Sequence, residues 1–132
     1  MKNKTILNFQ YGLVFICSIL SCKQHSQHNG LEFESDTLNI GVVKRGKTKT
    51  ILVKYNNNTS EPIKIIEIAE SCNCIETTFS DKPLKPTKNG AFELTYNNGL
   101  APNDSGRIVK SILVYCDTKP LLKTIYLKAI VL

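Results

Sequence analysis

A chain of 132 residues has room for one globular domain plus a short terminal segment, and its 42% apolar and 21% charged residues are ordinary for such a domain. With no Trp and one Met beside five Tyr and five Phe, the core must come mainly from Ile, Leu and Val, which favours strands over helices. The formal charge is +6, yet no dense basic stripe interleaved with aromatics is present, which excludes an ordinary nucleic-acid-binding surface.

The N-terminus reads as an address. Lys2 and Lys4 make a positive start, and Tyr11 to Leu20 is an apolar run of signal-peptide length. A spanning helix needs about 20 apolar residues. This run is shorter, and extending it back to Ile6 takes in Asn8 and Gln10. It ends in Ile19-Leu20-Ser21-Cys22, which resembles the lipobox of bacterial lipoproteins. The resemblance implies cleavage between Ser21 and Cys22 and lipidation of Cys22 by a diacylglyceryl group and a further acyl chain of the palmitate kind. Two or more chains anchor a protein stably where one does not. Lys23 stands where an Asp would signal inner-membrane retention, so the implied destination is the outer membrane of a Gram-negative envelope, facing the periplasm. The plainer alternative is a secreted protein with a coincidental Cys.

Removing Lys2 and Lys4 from the 17 basic residues leaves 15 against 11 acidic ones, an excess of +4. Residues 1–21 are then the signal, 22–30 the lipidated Cys and a polar tether, and 31–132 the domain. His25 and His28 lie in the tether, where two imidazoles without supporting partners make a poor metal site.

From Leu31 onward, short period-two runs separated by turn residues indicate an all-β domain. The predicted strands are 36–43, 48–56, 62–70, 74–79, 90–97, 106–116 and 120–131. Ile51, Val53 and Tyr55 share one face, Phe92, Leu94 and Tyr96 another, and Ile125, Leu127, Ala129 and Val131 a third. Alternation slips at Ile65-Ile66-Glu67, which calls for a bulge or a strand buried on both faces. Turns fall at Asn56 to Pro62, Lys85 to Gly90, Asn97 to Gly99 and Asn103 to Gly106, where Asn and Gly can supply positive φ. Seven short strands over roughly 100 residues fit an Ig-like β-sandwich, though the Cys, Trp and Cys of antibody domains are missing.

Three thiols remain beyond the signal and the lipid: Cys72, Cys74 and Cys116. In an extended strand, residues two apart have Cβ atoms about 6.5 Å apart, against the ~3.8 Å of a disulfide, so a Cys72–Cys74 bond requires a tight turn at Asn73. Three readings stand open. One is a structural disulfide, within the pair or from it to Cys116. Another is a Cu(I) or Zn(II) site with Cys116 as third ligand. The last is a redox-active pair, which Glu70 and Glu76 disfavour because a reactive thiol needs a cationic neighbour.

Several motifs occur in a characteristic order: Ile40-Gly41-x-Val43, Pro62-Ile63-x-Ile65, Ser71-Cys72-Asn73-Cys74, Leu84-x-Pro86 and the strand Gly106 to Ile112. Together they resemble the domain-of-unknown-function 1573 proteins over about Asp36 to Leu132. The resemblance implies a small exported Ig-like sandwich of the Hydin and PapD-like kind, often a lipoprotein, and implies no biochemical activity. This chain departs from the pattern at Asn73 and Thr87, where Gly is usual, at Ile75, where Thr is usual, and at Cys116, where Asn is usual.

The remaining candidates read as structure. Lys44-Arg45-Gly46-Lys47-Thr48-Lys49 can meet anionic lipid or simply be a solvated turn, and Asn57-Asn58-Thr59 is a sequon that reads as a polar turn. No paired carboxylates, phosphate loop or triad emerge, so no enzyme activity, cofactor or small-molecule substrate is expected. The expected function is a lipid-anchored envelope module that binds a protein or peptide through a sheet edge or the loops at one end. The alternative is a thiol-based metal or redox carrier.

Overall fold

The computed structural model describes residues 30–132, so the predicted signal peptide, Cys22 and the tether to Asn29 lie outside the described residues. Eight strands form two four-stranded sheets: β1 (Leu31–Phe33), β2 (Thr37–Val43), β3 (Thr48–Asn57), β4 (Ile65–Glu70), β5 (Ile75–Thr78), β6 (Asn89–Asn97), β7 (Gly106–Cys116) and β8 (Leu122–Val131). One sheet has the order β1-β3-β6-β5 and the other β2-β8-β7-β4. The all-β sandwich matches the sequence reading. The additional strand is β1, three residues pairing with Tyr55 to Asn57 before the chain crosses to the other sheet. There β2 lies parallel to β8, the one parallel pairing in an otherwise antiparallel fold.

The period-two faces meet between the sheets. Phe92, Leu94 and Tyr96 of β6 are buried against Ile112 and Val114 of β7 and Ile125 and Leu127 of β8, all at 1% exposure or less. Phe33, Tyr55 and Phe92 add an aromatic cluster with ring centroids 5.8 to 6.3 Å apart. Gly90 lies opposite Tyr55 on the neighbouring strand, where a Cβ would come within 2.6 Å of the Tyr55 ring, so the ring's position requires glycine. The slip in alternation is a bulge: pairing jumps from Ile65 to Glu67, and Ile66 turns out to solvent while Ile65 and Ile68 stay buried. Strand β4 also starts later than predicted. Ile63 leaves the sheet to bridge Leu84, exchanging bonds of 3.0 and 2.7 Å.

The two ends are closed by buried asparagines. At the end where the described chain begins, Asn57 is fully buried, donating to the carbonyls of Glu61 and Leu84 and accepting from the amide and hydroxyl of Thr59. All four of its amide positions are used. The sequon is therefore an internal clamp, with no nitrogen free for a glycan. At the opposite end Asn98 accepts from the Gly46 N–H at 2.8 Å and donates to Tyr96 Oη at 3.3 Å and the Ala101 carbonyl at 3.1 Å. Tyr96 donates to Asp104 at 2.8 Å, and Lys110 reaches both Asp104 oxygens at 2.9 Å. These asparagines act through side-chain bonds rather than positive φ. The only described non-Gly residue with positive φ is Thr87 at 59°, where the sequence pattern usually has Gly.

A β-branched residue at that φ is strained by about 1 to 2 kcal/mol. Thr87→Gly is expected to raise stability by about 1 kcal/mol after its own entropy cost, read as a higher midpoint in urea denaturation. Asp104 generates a second expectation. Its burial pushes its pKa up, but hydrogen bonds from Lys110 and Tyr96 and the Lys110 charge outweigh that and hold it below its ordinary 3.8. A carboxyl with a lowered folded pKa contributes stability above its unfolded value and loses it as pH falls through the folded one. Asp104→Asn should cost about 1 to 3 kcal/mol near pH 7, and the gap to the native protein should close below about pH 4. Paired denaturation curves across that range check it.

Candidate functional site

The Cys-x-Cys segment is the place where the chain changes sheets. Strand β4 ends at Glu70 in one sheet and β5 begins at Ile75 in the other, and the turn between them holds a Cys72–Cys74 disulfide with Cα atoms 5.2 Å apart. Ile75 N–H closes the turn on the Cys72 carbonyl at 3.3 Å, and Asn97 N–H binds the Cys74 carbonyl at 2.8 Å. The tight turn exists without Asn73 taking a positive φ. Cys74 is buried in the core, and Thr77 on β5 donates to the Glu70 carboxylate on β4 at 2.6 Å. The bond thus seals the side where the two outer strands meet.

Cys116 is elsewhere. It pairs with Ile65 at the far end of β4, whereas Ser71, just before the disulfide, pairs with Ser111. Five residues along β7 separate these positions, about 17 Å. That spacing removes Cys116 both as a disulfide partner and as a third ligand, and among the described residues no three metal-ligating side chains cluster. Burial, with the Asp117 carboxylate adding to it, pushes the Cys116 thiol up to about 11. It is a free, buried, protonated thiol.

The basic turn Lys44 to Lys49 sits at the disulfide end, tied to the core through Gly46 and Asn98 and to the last strand by Arg45 N–H on the Leu132 carbonyl. The described chain enters at the other end, where Asn58 N–H binds the Gly30 carbonyl. His25 and His28 lie outside the described residues.

Sequence reasoning missed the outward face of the β2-β8-β7-β4 sheet. In register, Val42 faces Ile130, Ile130 faces Arg107, Val109 faces Lys128 and Tyr126 faces Ser111. Val42, Val109, Tyr126 and Ile130 are 50%, 58%, 44% and 38% exposed. Directly opposite and diagonal neighbours in a sheet lie within reach of one another, so these four form one patch. A shallow groove crosses it between β7 and β8, with Asn39, Arg107 and Lys128 on its walls. The outward face of the other sheet differs. It carries Glu32, Lys54, Glu76 and Glu93, and Thr50 and Thr95 hydrogen-bond across its strands at 2.8 Å, with Leu52 as its large exposed apolar side chain. The signal for the patch was present in β7 and β8, where both phases of the alternation hold apolar residues, as in Val109, Tyr126 and Ile130.

The edges are poor templates for strand addition. Strand β1 has three residues and β5 four, β4 is bulged at Ile66, and β2 loses register between Asn39 and Gly41. Of the surfaces expected to recognise a partner, the sheet edges are thus blunted, and the exposed apolar area lies on a face.

Comparison with known proteins places the fold. A protein of unknown function from Porphyromonas gingivalis W83 superposes with a TM-score of 0.65 at 18% identity, over 76% of this chain and 46% of that one. The chain therefore spans less than half of that protein. A PapD-like (ASH) domain of human CEP192 gives 0.62 at 9% identity, over 79% of this chain and 86% of that one. The periplasmic chaperone SfaE gives 0.54 at 11%, over 76% and 57%. These likenesses establish an Ig-like, PapD-like sandwich. No curated protein matches the sequence. The family model described as "Protein of unknown function (DUF1573)" matches residues 31–131, the whole sandwich, and the chain belongs to that family.

Proposed function

We propose that this protein is a lipid-anchored, periplasm-facing binding module of the Gram-negative envelope, held by Cys22 and engaging a protein or peptide through the outward face of the β2-β8-β7-β4 sheet. The observation that carries this reading is the contrast between faces: Val42, Val109, Tyr126 and Ile130 stand exposed on one sheet while the other presents mainly Thr and Glu. Contiguous exposed apolar area on a small domain marks a contact surface. A sandwich with a filled core has no interior room for a large ligand, so recognition falls to its surface. The lipobox-like Ile19 to Cys22 and the polar tether support the anchor. The carrier alternative loses its third thiolate to the distance between Cys116 and the Cys72–Cys74 turn.

A photo-crosslinking side chain at Val109 of the full chain should give a discrete envelope adduct, and the same group at Thr50 on the other face should not. Equal labelling from both positions, or none from Val109, contradicts the reading.

The thiols and the anchor are checked together. Protein extracted from envelopes should show one titratable thiol on denaturation without reductant, Cys116, because Cys72 and Cys74 are bonded and Cys22 is acylated. In the native state that thiol should not react near pH 7, given its raised pKa. Reducing the pair should cost about 2 kcal/mol or less, since closing so short a loop removes little unfolded-state entropy. Cys22→Ala should abolish fatty-acid labelling. Three thiols in the unreduced protein would restore the carrier reading.

A further inference from the structure

The binding face carries charge of one sign at its centre. Arg107 stands opposite Ile130 and Lys128 opposite Val109, so the two cations occupy diagonal positions on adjacent strands with an aliphatic side chain beside each. Diagonal Cβ atoms are about 7 to 8 Å apart, close enough for both heads to meet one extended ligand. Asn39 of β2 lies opposite Lys128 and adds an amide to the same groove.

Neither cation is in an ion pair among the described residues, where the pairs are Lys54–Glu34, Lys110–Asp104 and Lys123–Asp36. The side-chain carboxylates of Asp36 and Glu67 do not neutralise them. Asp36 is engaged with Lys123 at 4.0 Å, and Glu67 faces Tyr115, six residues along β7 from Val109 and about 20 Å away.

Resting on the binding-module reading, we infer that the partner is an acidic, aliphatic-rich protein segment, laid in extended form along β7 and β8 with carboxylates on Arg107 and Lys128 and aliphatic side chains on Val109, Ile130 and Val42. The alternation of cation and aliphatic along each strand, Arg107-x-Val109 and Lys128-x-Ile130, matches the two-residue period of an extended peptide. The chain's own tether does not supply this chemistry, since Lys23 to Asn29 contains neither a carboxylate nor an aliphatic residue. A membrane surface is disfavoured as the occupant: Arg107 lies next to Gly106, at the end of the sandwich opposite Gly30, where the described chain enters from the anchor side.

The test uses the full chain in neutral-lipid nanodiscs with short synthetic peptides repeating Glu-Ser-Val-Ser, which set Glu and Val in turn on one face of an extended chain, beside counterparts with Gln in place of Glu. The Glu peptides should bind about tenfold tighter, a preference that fades with added salt. Arg107→Gln with Lys128→Gln should reduce Glu-peptide affinity to the Gln level with an unchanged circular dichroism spectrum. Val109→Ser should weaken both peptide sets. Equal affinity for Glu and Gln peptides, still lost in Val109→Ser, would overturn the acidic partner and leave the face as a binding surface. No binding of either set, or binding that ignores Val109→Ser, would remove both. Crosslinking from Val109 to phosphatidylglycerol in anionic nanodiscs, without peptide binding, would assign the face to a membrane and overturn the inference. Self-association that depends on Arg107 and Lys128 would do the same in favour of a second copy.

Discussion

The row Phe92, Leu94 and Tyr96 on β6 is the contact on which the sandwich depends. This strand pairs with β3 on one side and β5 on the other, and its inward side chains press directly on β7 and β8 of the facing sheet. Its two ends set the two ends of the molecule. Gly90 makes space for Tyr55 and the aromatic cluster, and the Tyr96 hydroxyl enters the chain of bonds from Gly46 to Lys110. Apolar burial alone would leave that hydroxyl and the Asn98 amide without partners, at a cost of about 1 to 3 kcal/mol each.

Local pattern was readable and long-range pairing was not. The faces of β3, β6 and β8 follow from alternation, a property of neighbouring residues, and Ile51, Val53, Leu94 and Ile125 fall on the sides that alternation assigns them. Strand β1 escaped notice because three residues hold too little pattern to separate from a polar tether. The parallel partnership of β2 and β8 joins residues nearly ninety positions apart, and nothing local to either strand specifies it. Asn57 was legible as a turn residue but not as a buried one, because an asparagine with four satisfied bonds and one facing water look alike in sequence. The sequence left three pairings for the cysteines, and the crossover between sheets selects one.

The exposed apolar face shows a different limit. Period-two reasoning searches for one apolar phase and assigns the other to solvent, so Val109, Tyr126 and Ile130 read as incidental exposed residues. Only the register, which places Val42 beside Ile130 and Val109 diagonal to both Ile130 and Tyr126, turns scattered residues into a continuous surface. The blunted edges make the same point in reverse. Short or bulged outer strands discourage pairing with other backbones, so the exposed apolar area of this sandwich is on a face and not at an edge.

The burial of Cys116 bears on which sulfurs can meet. The three described cysteines can join in three ways, and the two pairings through Cys116 would tie β7 to the wrong end of β4. Exchange between sulfurs needs a thiolate that can reach its target. With β4 and β7 paired, Cys116 has neither solvent access nor a tendency to ionise, while Cys72 and Cys74 lie side by side at the crossover. In the folded domain the strand pairing holds the free thiol of Cys116 away from the bond, and the crossover favours the Cys72–Cys74 pairing over either one through Cys116.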